Sequence, residues 1–84
     1  RQLNFKPDID VRGMRGDEAV QAITYFIDDA IQFSQPRVRI LHGTGTGILK
    51  QLIRQYLNTV KEVKSYRDEH VQFGGAGITV VDFE

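Results

Sequence analysis

Apolar side chains in two segments of this 84-residue chain recur at the spacing of an amphipathic helix. The first helix is predicted to begin near Gly16, where a glycine or an aspartate can serve as N-cap and acidic residues fill the first turn. It ends before Pro36, because proline disfavours helical geometry in the residue before it. The second helix is predicted over residues 48–60. The apolar stripes comprise Ala19, Val20, Ile23, Phe26, Ile27, Ala30 and Ile31 in the first helix and Ile48, Leu49, Leu52, Ile53, Tyr56, Leu57 and Val60 in the second.

Four shorter segments have the composition of β-strands. Residues 8–12 alternate apolar and charged side chains, and Val38, Ile40 and Leu41 belong to a second strand that ends at His42. Residues 60–68 predict a third strand, placed at the side of the sheet because Val63 lies between charged residues. Residues 78–83 are apolar enough for a central strand. The element order is therefore βαβαββ, an α/β fold with one sheet.

The connections between these elements predict where the loops meet. Right-handed βαβ crossovers make the first three strands parallel and place both helices on one face of the sheet, and the last hairpin makes the fourth strand antiparallel. Residues 12–13, 42–47 and 74–77 are then expected at one end of the sheet, which we call the loop end. Crevices at the carboxyl ends of parallel strands are common ligand sites.

The segment after the second strand is a glycine-rich turn that leads directly into the second helix. Its glycines let the backbone turn sharply and let another molecule approach closely. The helix directs free N–H groups and a partial positive charge at the loop, which favours an anion such as phosphate. The spacing matches neither the dinucleotide fingerprint nor the lysine-bearing phosphate loop, so a nucleotide-hydrolysing site is not expected. The turn predicts a phosphate cradle made of Gly43, Thr44, Gly45, Thr46 and Gly47.

Three charged or titratable residues are candidates for chemistry beside this cradle. His42 is a candidate general acid or base, and a histidine that only caps local backbone is the alternative. Asp10 is placed to orient His42 or to bind a metal, and Arg12 is placed to clamp a phosphate. A solvated ion pair between Asp10 and Arg12 is the alternative for these two.

A second group of residues is expected to assist at the same end of the sheet. Lys50, in the first turn of the second helix, is either a solvated surface residue or a partner for a bound anion. Gly74, Gly75 and Gly77 form a second glycine-rich loop, which predicts either a plain hairpin or close backbone approach. His70 is a further candidate imidazole, with an ordinary loop histidine as the alternative.

Composition narrows the class of protein. Eleven Lys and Arg balance eleven Asp and Glu, so nucleic-acid contact must be local instead of resting on a general basic field. The absence of cysteine excludes disulfides and thiolate metal ligands, and no signal peptide or membrane-spanning segment is visible. We expect residues 1–7 to be an extended lead-in from a longer protein, with Leu3 and Phe5 packing one side, and residues 8–84 to be one domain.

Three motifs in this order resemble the Smr (small MutS-related) domain, and the resemblance covers the chain from about Asp8 onward. They are Ile9-Asp10-Val11-Arg12-Gly13, His42-Gly43-Thr44-Gly45-Thr46-Gly47 and Gly74-Gly75-Ala76-Gly77-Ile78-Thr79. The form at the C-terminus of the second bacterial MutS paralogue, an ATPase, is the most similar. Arg12 stands where stand-alone members often have histidine, Thr44 where relatives often have a basic residue, and Phe73 where many have a small or acidic one.

The resemblance implies a two-layer α+β sandwich with sheet order 1-2-4-3, like the C-terminal domain of translation initiation factor three. It also implies nucleic-acid binding and nicking endonuclease activity. The site residues it implies are Asp10, Arg12, His42, the second-motif glycines, and Gly74, Gly75, Gly77 and Thr79.

We therefore expect a cytoplasmic domain that binds DNA or RNA, with association of the full protein with ribosomes as a further expectation. The first hypothesis is phosphodiester cleavage that uses His42, Arg12 and Asp10, no fixed metal ligands, and at most one loosely held Mg²⁺ or Mn²⁺. The rival is a non-catalytic nucleic-acid or ribosome-binding module that uses the same cradle. The isolated domain is expected to be a monomer, the full-length protein a dimer, and no membrane partner is expected.

Overall fold

The computed structural model, which describes residues 5–84, contains the predicted four strands and two main helices. Leu3 and the other residues of 1–4 in the predicted lead-in lie outside the described residues. The strands are β1 (Asp8–Asp10), β2 (Arg37–Leu41), β3 (Val63–Asp68) and β4 (Ile78–Phe83), and the helices are α1 (Gly16–Gln32) and α2 (Ile48–Leu57). The loop between β3 and β4 holds two short 3₁₀ turns, Val71–Phe73 and Gly75–Gly77.

The strands form one mixed sheet in the order β1-β2-β4-β3, as the family resemblance implied. β1 pairs with β2 in parallel, and β4 runs antiparallel to both of its neighbours. β4 is central and β3 lies at the side of the sheet, so both strand placements predicted from the pattern are confirmed. The two-layer α+β architecture is confirmed as well.

Three predicted boundaries were wrong by two or three residues. β1 ends at Asp10 instead of residue 12, because the N–H of Met14 turns back to the carbonyl of Val11. α2 ends at Leu57 and β3 begins only at Val63. The intervening residues form turns, in which the N–H of Val60 donates to Leu57 and that of Val63 donates to Val60.

The entry to α1 also differs from the expectation. The N-cap is Arg15, not Gly16 or Asp17, and the side chain of Glu18 accepts a hydrogen bond from the Arg15 N–H at 3.1 Å. This contact satisfies one of the N–H groups that a helix leaves without an intrahelical acceptor. In the lead-in, the ring of Phe5 stacks on Phe26 of α1 with centroids 5.6 Å apart.

One hydrophobic core lies between the helices and one face of the sheet. Side chains from both helices meet side chains from the strands, and all of them exclude water almost completely. No helix among residues 5–84 is long and apolar enough to cross a membrane. The buried cluster comprises Val11, Ala19, Ile23, Ile27, Ala30, Val38, Ile40, Ile53, Leu57 and Val81.

The core predicts a contrast between two identical substitutions in α2. Ile53 is fully buried whereas Ile48 is 57% exposed, so Ile53→Ala leaves a cavity that Ile48→Ala does not. We expect Ile53→Ala to lower the free energy of unfolding by about 2–5 kcal/mol and Ile48→Ala by less than about 0.5 kcal/mol. Urea unfolding of both variants measures this difference. Equal losses would contradict the assigned packing of α2.

Candidate functional site

The three loops predicted to converge do meet at the loop end of the sheet. The N–H of Val11 donates to the carbonyl of Leu41 at 2.9 Å, which holds the first loop beside the second. The N–H groups of His42 and Gly43 both donate to the carbonyl of Gly77, at 3.1 and 3.0 Å. This single carbonyl therefore anchors the second loop to the third, and the predicted convergence is confirmed.

The second loop presents a run of backbone N–H groups without protein partners. Within residues 5–84, the N–H groups of Thr44, Gly45, Thr46 and Gly47 have no acceptor in hydrogen-bonding distance. Gly47 has φ +84° and is the N-cap of α2, so the loop leads straight into the positive end of the helix. The next N–H group, that of Ile48, has one weak acceptor, the hydroxyl of Thr46 at 3.4 Å. This geometry suits an anion with several acceptor oxygens.

These N–H groups border a cleft of about 390 Å³, which we call the cradle cleft. It is bounded on one side by the turn before α1 and on the other by the first turn of α2. The lining residues are Gly13, Met14, Gly16, His42, Gly43, Thr44, Gly45, Thr46, Gly47, Ile48, Leu49 and Lys50.

His42 lies at the base of this cleft and is only 5% exposed. Its Nδ1 lies 2.8 Å from the carbonyl oxygen of Gly43, and its Nε2 lies 2.7 Å from the hydroxyl of Thr79. A carbonyl only accepts, so Nδ1 carries the proton and Nε2 accepts from the Thr79 hydroxyl. That hydroxyl in turn accepts from Arg54, whose Nη2 is 3.1 Å away. Both ring nitrogens of His42 are therefore occupied by the protein.

Burial lowers the pKa of His42 below the 6.5 of an exposed imidazole, because the charged form loses hydration. The hydrogen bond to the carbonyl of Gly43 opposes this effect, and the positive charges of Lys50 and Arg54 reinforce it. His42 is thus neutral at pH 7, which suits a base or a positioning group and not a proton donor.

A three-residue charge cluster connects the cleft with β3. Asp68 accepts from the Nζ of Lys50 at 2.8 Å and from the Nη2 of Arg54 at 2.6 Å. These hydrogen bonds lower the pKa of Asp68, so its carboxylate stays charged. Two cations share one anion, and the cluster keeps one positive charge beside the cradle. Lys50 thus pairs with a carboxylate of the protein itself, and a contact with a bound anion stays a prediction.

Asp10 does not orient His42, and that prediction was wrong. Its carboxylate instead pairs with Arg12, with the Nε of Arg12 at 2.9 Å and the Nη2 at 2.6 Å. Both side chains are about half exposed, which matches the alternative of a solvated ion pair. The hydrogen bonds from Arg12 lower the pKa of Asp10 to about 2. The position next to Nε2 of His42 belongs to Thr79.

The glycines of the third loop use their N–H groups inside the protein. Those of Gly74, Gly75 and Gly77 donate to Val71, His70 and Gly74 respectively, so this loop adds no free donors to the cradle. Close backbone approach is nevertheless confirmed: a Cβ on Gly77 would lie 3.7 Å from the Cα of Gly43. The third loop thus holds the second in place and does not extend its row of free N–H groups.

Arg12 lies in a separate, narrower cleft between the second and third loops. This cleft of about 260 Å³, which we call the Arg12 cleft, is lined by Arg12, Leu41, Gly43, Thr44, Gly74, Gly77 and Ile78. Lys50 lines the cradle cleft instead, so the two cations predicted to act on one phosphate face different sides of Gly43 and Thr44.

His70 is not brought to either cleft. It is exposed and lies beside residues 67–69 and Val71, with its ring edge-on to Phe73. Among residues 5–84, no three His, Asp or Glu side chains come together in a group that could hold a metal ion.

Sequence reasoning missed two residues of the site, Arg54 and Asp68. The family resemblance named Thr79 but gave it no chemical role. One signal was present, since Lys50 and Arg54 are four residues apart and so share one face of α2. Asp68 joins them only through the fold, because β3 lies across the sheet from the cradle.

Residues 9–84 match the family model of the Smr domain. The chain belongs to the Smr domain family. It is 42% identical over 77 residues to Endonuclease MutS2 of Geobacillus thermodenitrificans, a match that covers 92% of this chain and 10% of that protein. The chain spans about a tenth of the length of such relatives.

Two solved structures have the same fold as this Smr domain. The crystal structure of the Smr domain of Thermus thermophilus MutS2 is 35% identical, with a TM-score of 0.89 over 94% of this chain and 99% of that one. YdaL, a stand-alone small MutS-related protein from Escherichia coli, is 20% identical, with a TM-score of 0.88 over 93% and 64% of the two chains. The second likeness shows the fold alone.

The buried His42 predicts a dependence of stability on pH. Because its pKa is lower in the folded than in the unfolded chain, the stability it contributes is present above pH 6.5 and is lost as the pH falls toward the folded value. We expect the free energy of unfolding to decrease from about pH 7.5 to about pH 5.5, and the decrease to be smaller in His42→Gln. Urea unfolding across this pH range measures the decrease in the free energy of unfolding. The matched control is His70→Gln, which removes the exposed imidazole. A slope that His42→Gln leaves unchanged would contradict the assignment.

Proposed function

We propose that this Smr domain binds nucleic acid through a backbone phosphate in the cradle cleft and nicks the phosphodiester bond held there. The observation that carries the proposal is the run of four N–H groups at residues 44–47 without protein acceptors, which leads into the N-terminus of α2. Backbone donors fixed before the ligand arrives stabilise a phosphate whose negative charge increases during the reaction. The names of the relatives, which are endonucleases, support the same reaction class.

The distribution of charge supports binding at this end of a neutral chain. The cluster of Lys50, Arg54 and Asp68 leaves one positive charge at the cradle. The sequence of α1, in contrast, has no Lys or Arg and carries Asp17, Glu18, Asp28 and Asp29. A polyanion is repelled by that helix and attracted to the loop end. The isolated domain is expected to bind few phosphates and to read little base sequence.

In the proposed reaction, the free N–H groups and Lys50 hold the phosphate through its non-bridging oxygens, and Arg12 approaches it from the other side of Gly43. The Nη1 of Arg12 has no acceptor among residues 5–84, so it is available to a phosphate oxygen while Asp10 holds the other nitrogens. Neutral His42 accepts a proton from the attacking water only if the Thr79 hydroxyl releases Nε2. Proton transfer is thus coupled to opening of this hydrogen bond. The bond from phosphorus to one sugar oxygen then breaks, and this leaving oxygen takes up a proton from solvent.

A second candidate function is a nucleic-acid-binding module without catalysis. It is favoured by one specific observation, namely that both ring nitrogens of His42 are already bonded to protein atoms. In this case His42 only shapes the cradle, through the carbonyl of Gly43. The same cleft serves both functions, because each needs a held phosphate.

For the whole protein, we propose a MutS-like ATPase that carries this domain and acts on DNA or RNA in the cytoplasm. The matches cover about a tenth of the length of Endonuclease MutS2, which supports the proposal that this domain is carried by a longer protein. Ribosome association, a monomeric isolated domain and a dimeric full-length protein stay predictions, as does the use of one loosely held Mg²⁺ or Mn²⁺.

The cradle predicts where phosphate binds. On titration with inorganic phosphate, we expect the largest amide NMR shifts at residues 45–48, because the N–H groups of residues 45–47 are free and all four lie at the positive end of α2. Lys50→Ala should weaken the effect, whereas Lys64→Ala, on the exposed side of β3, should not. Largest shifts outside the three loops would contradict the placement.

The proposed cleavage reaction predicts that substitutions of Arg12 and Arg15 have different effects on the rate of nicking. Arg12 and Arg15 are both exposed, and each pairs with an aspartate two residues away, but only Arg12 lines a cleft at the loop end. We expect Arg12→Ala and His42→Ala to slow nicking of supercoiled plasmid or RNA by about 100-fold or more, and Arg15→Ala to leave the rate unchanged.

The nicking assay includes each variant with and without chelator, and a circular dichroism check of folding. Because transition-state groups act on rate, Arg12→Ala should affect binding far less than cleavage. Full activity in folded His42→Ala would remove His42 from catalysis. Binding without cleavage in the unmodified domain would favour the second candidate function.

A further inference from the structure

Two large apolar side chains are exposed to solvent in the loop between β3 and β4. Val71 is 93% exposed and Phe73 is 58% exposed. Both belong to the 3₁₀ turn Val71–Phe73, which contributes no buried residue to the core. Two large apolar side chains exposed in one short turn form a surface that another molecule can cover.

The backbone of the turn that carries Phe73 is held in place by hydrogen bonds. The N–H groups of Phe73 and Gly75 both donate to the carbonyl of His70 at 2.9 Å, which closes the turn. The Nη2 of Arg39 donates to the carbonyl of Phe73 at 3.3 Å and ties the turn to β2. The ring of His70 lies edge-on to that of Phe73, with centroids 6.2 Å apart. Because the turn is already ordered, little backbone entropy is lost when another group stacks on the ring.

Phe73 also adjoins a cationic cleft. The next residue, Gly74, lines the Arg12 cleft, and at φ +129° a Cβ here would lie 2.3 Å from the Cδ1 of Ile78. A side chain at this position would therefore collide with Ile78, which lines the same cleft. The free Nη1 of Arg12 suits an anion, and the exposed ring of Phe73 suits a flat π-system.

We propose that Phe73 stacks on an unpaired nucleobase, so that the preferred ligand is a single-stranded segment of nucleic acid. This inference rests on the proposed function, since it places the base next to the phosphate bound at the loop end. A strand whose bases alternate with phosphates is the ligand that uses an aromatic platform and a cation side by side. In an intact duplex the bases are stacked on each other and leave no face for the ring.

A tryptophan placed at position 73 reports on this contact directly, because the chain contains no other tryptophan. Phe73→Trp keeps a stacking ring, and Tyr25→Trp is the matched control: an aromatic side chain 63% exposed on the acidic helix α1. Each variant is titrated at low salt with a 12-nucleotide single-stranded DNA, the corresponding RNA, and a blunt duplex of the same sequence. Stacking on a base quenches indole fluorescence in Phe73→Trp and leaves Tyr25→Trp unchanged.

Phe73→Ala measures the strength of the contact. We expect it to lower affinity for the single strand by roughly 5- to 150-fold and affinity for the duplex by less than about twofold. Phe73 is largely exposed, so the variant should fold, and an amide NMR spectrum verifies this.

The outcomes separate this inference from the function on which it rests. If the single strand shifts the amides of residues 45–48 but leaves Phe73→Trp unquenched, the stacking proposal is overturned and the phosphate cradle stands. If no nucleic acid shifts those amides, both are overturned. Fluorescence of Phe73→Trp that changes with protein concentration alone identifies the turn as a protein contact and also overturns the proposal.

Discussion

The antiparallel insertion of β4 between β2 and β3 is the constraint on which the candidate site depends. Because β4 runs opposite to β2, its first residue lies beside the last residue of β2, as the pair Leu41 and Ile78 shows. The carbonyl of Gly77 can then accept hydrogen bonds from the N–H groups of His42 and Gly43. If β3 lay next to β2, the third loop would lie one strand away and the second loop would lose this anchor.

The same strand order gives His42 its buried environment. Thr79 of β4 faces the ring and connects it to Arg54 of α2, so one hydrogen-bonded chain joins both layers of the sandwich. No buried side-chain nitrogen or oxygen among residues 5–84 is left without a partner. A polar network of this kind stabilises one arrangement only while every member is satisfied. The residue with the most reactive side chain at the site is therefore also the one that holds the cradle in shape, and any chemical role must work through the Thr79 contact.

The neutral net charge conceals an uneven surface. α1 is purely acidic, whereas the loop end combines free backbone donors with a cluster that has one surplus cation. Such an arrangement attracts a polyanion locally and orients it away from α1.

The sequence by itself determined the elements, the order of the strands through the resemblance to the Smr domain, and the meeting of the three loops. Hydrophobic periodicity and glycine spacing are local properties. They identified both helices, all four strands and the turn before α2, with errors of two or three residues in β1, α2 and β3, where turns replace the predicted ends. The partners of the charged residues were decided by the tertiary structure. Asp10 turned to Arg12 and not to His42, because two residues of one extended segment lie within reach of a bidentate ion pair. Thr79, Arg54 and Asp68 come together from β4, α2 and β3, and no spacing along the chain encodes a contact that exists only after the sheet has formed and the helix has packed on it.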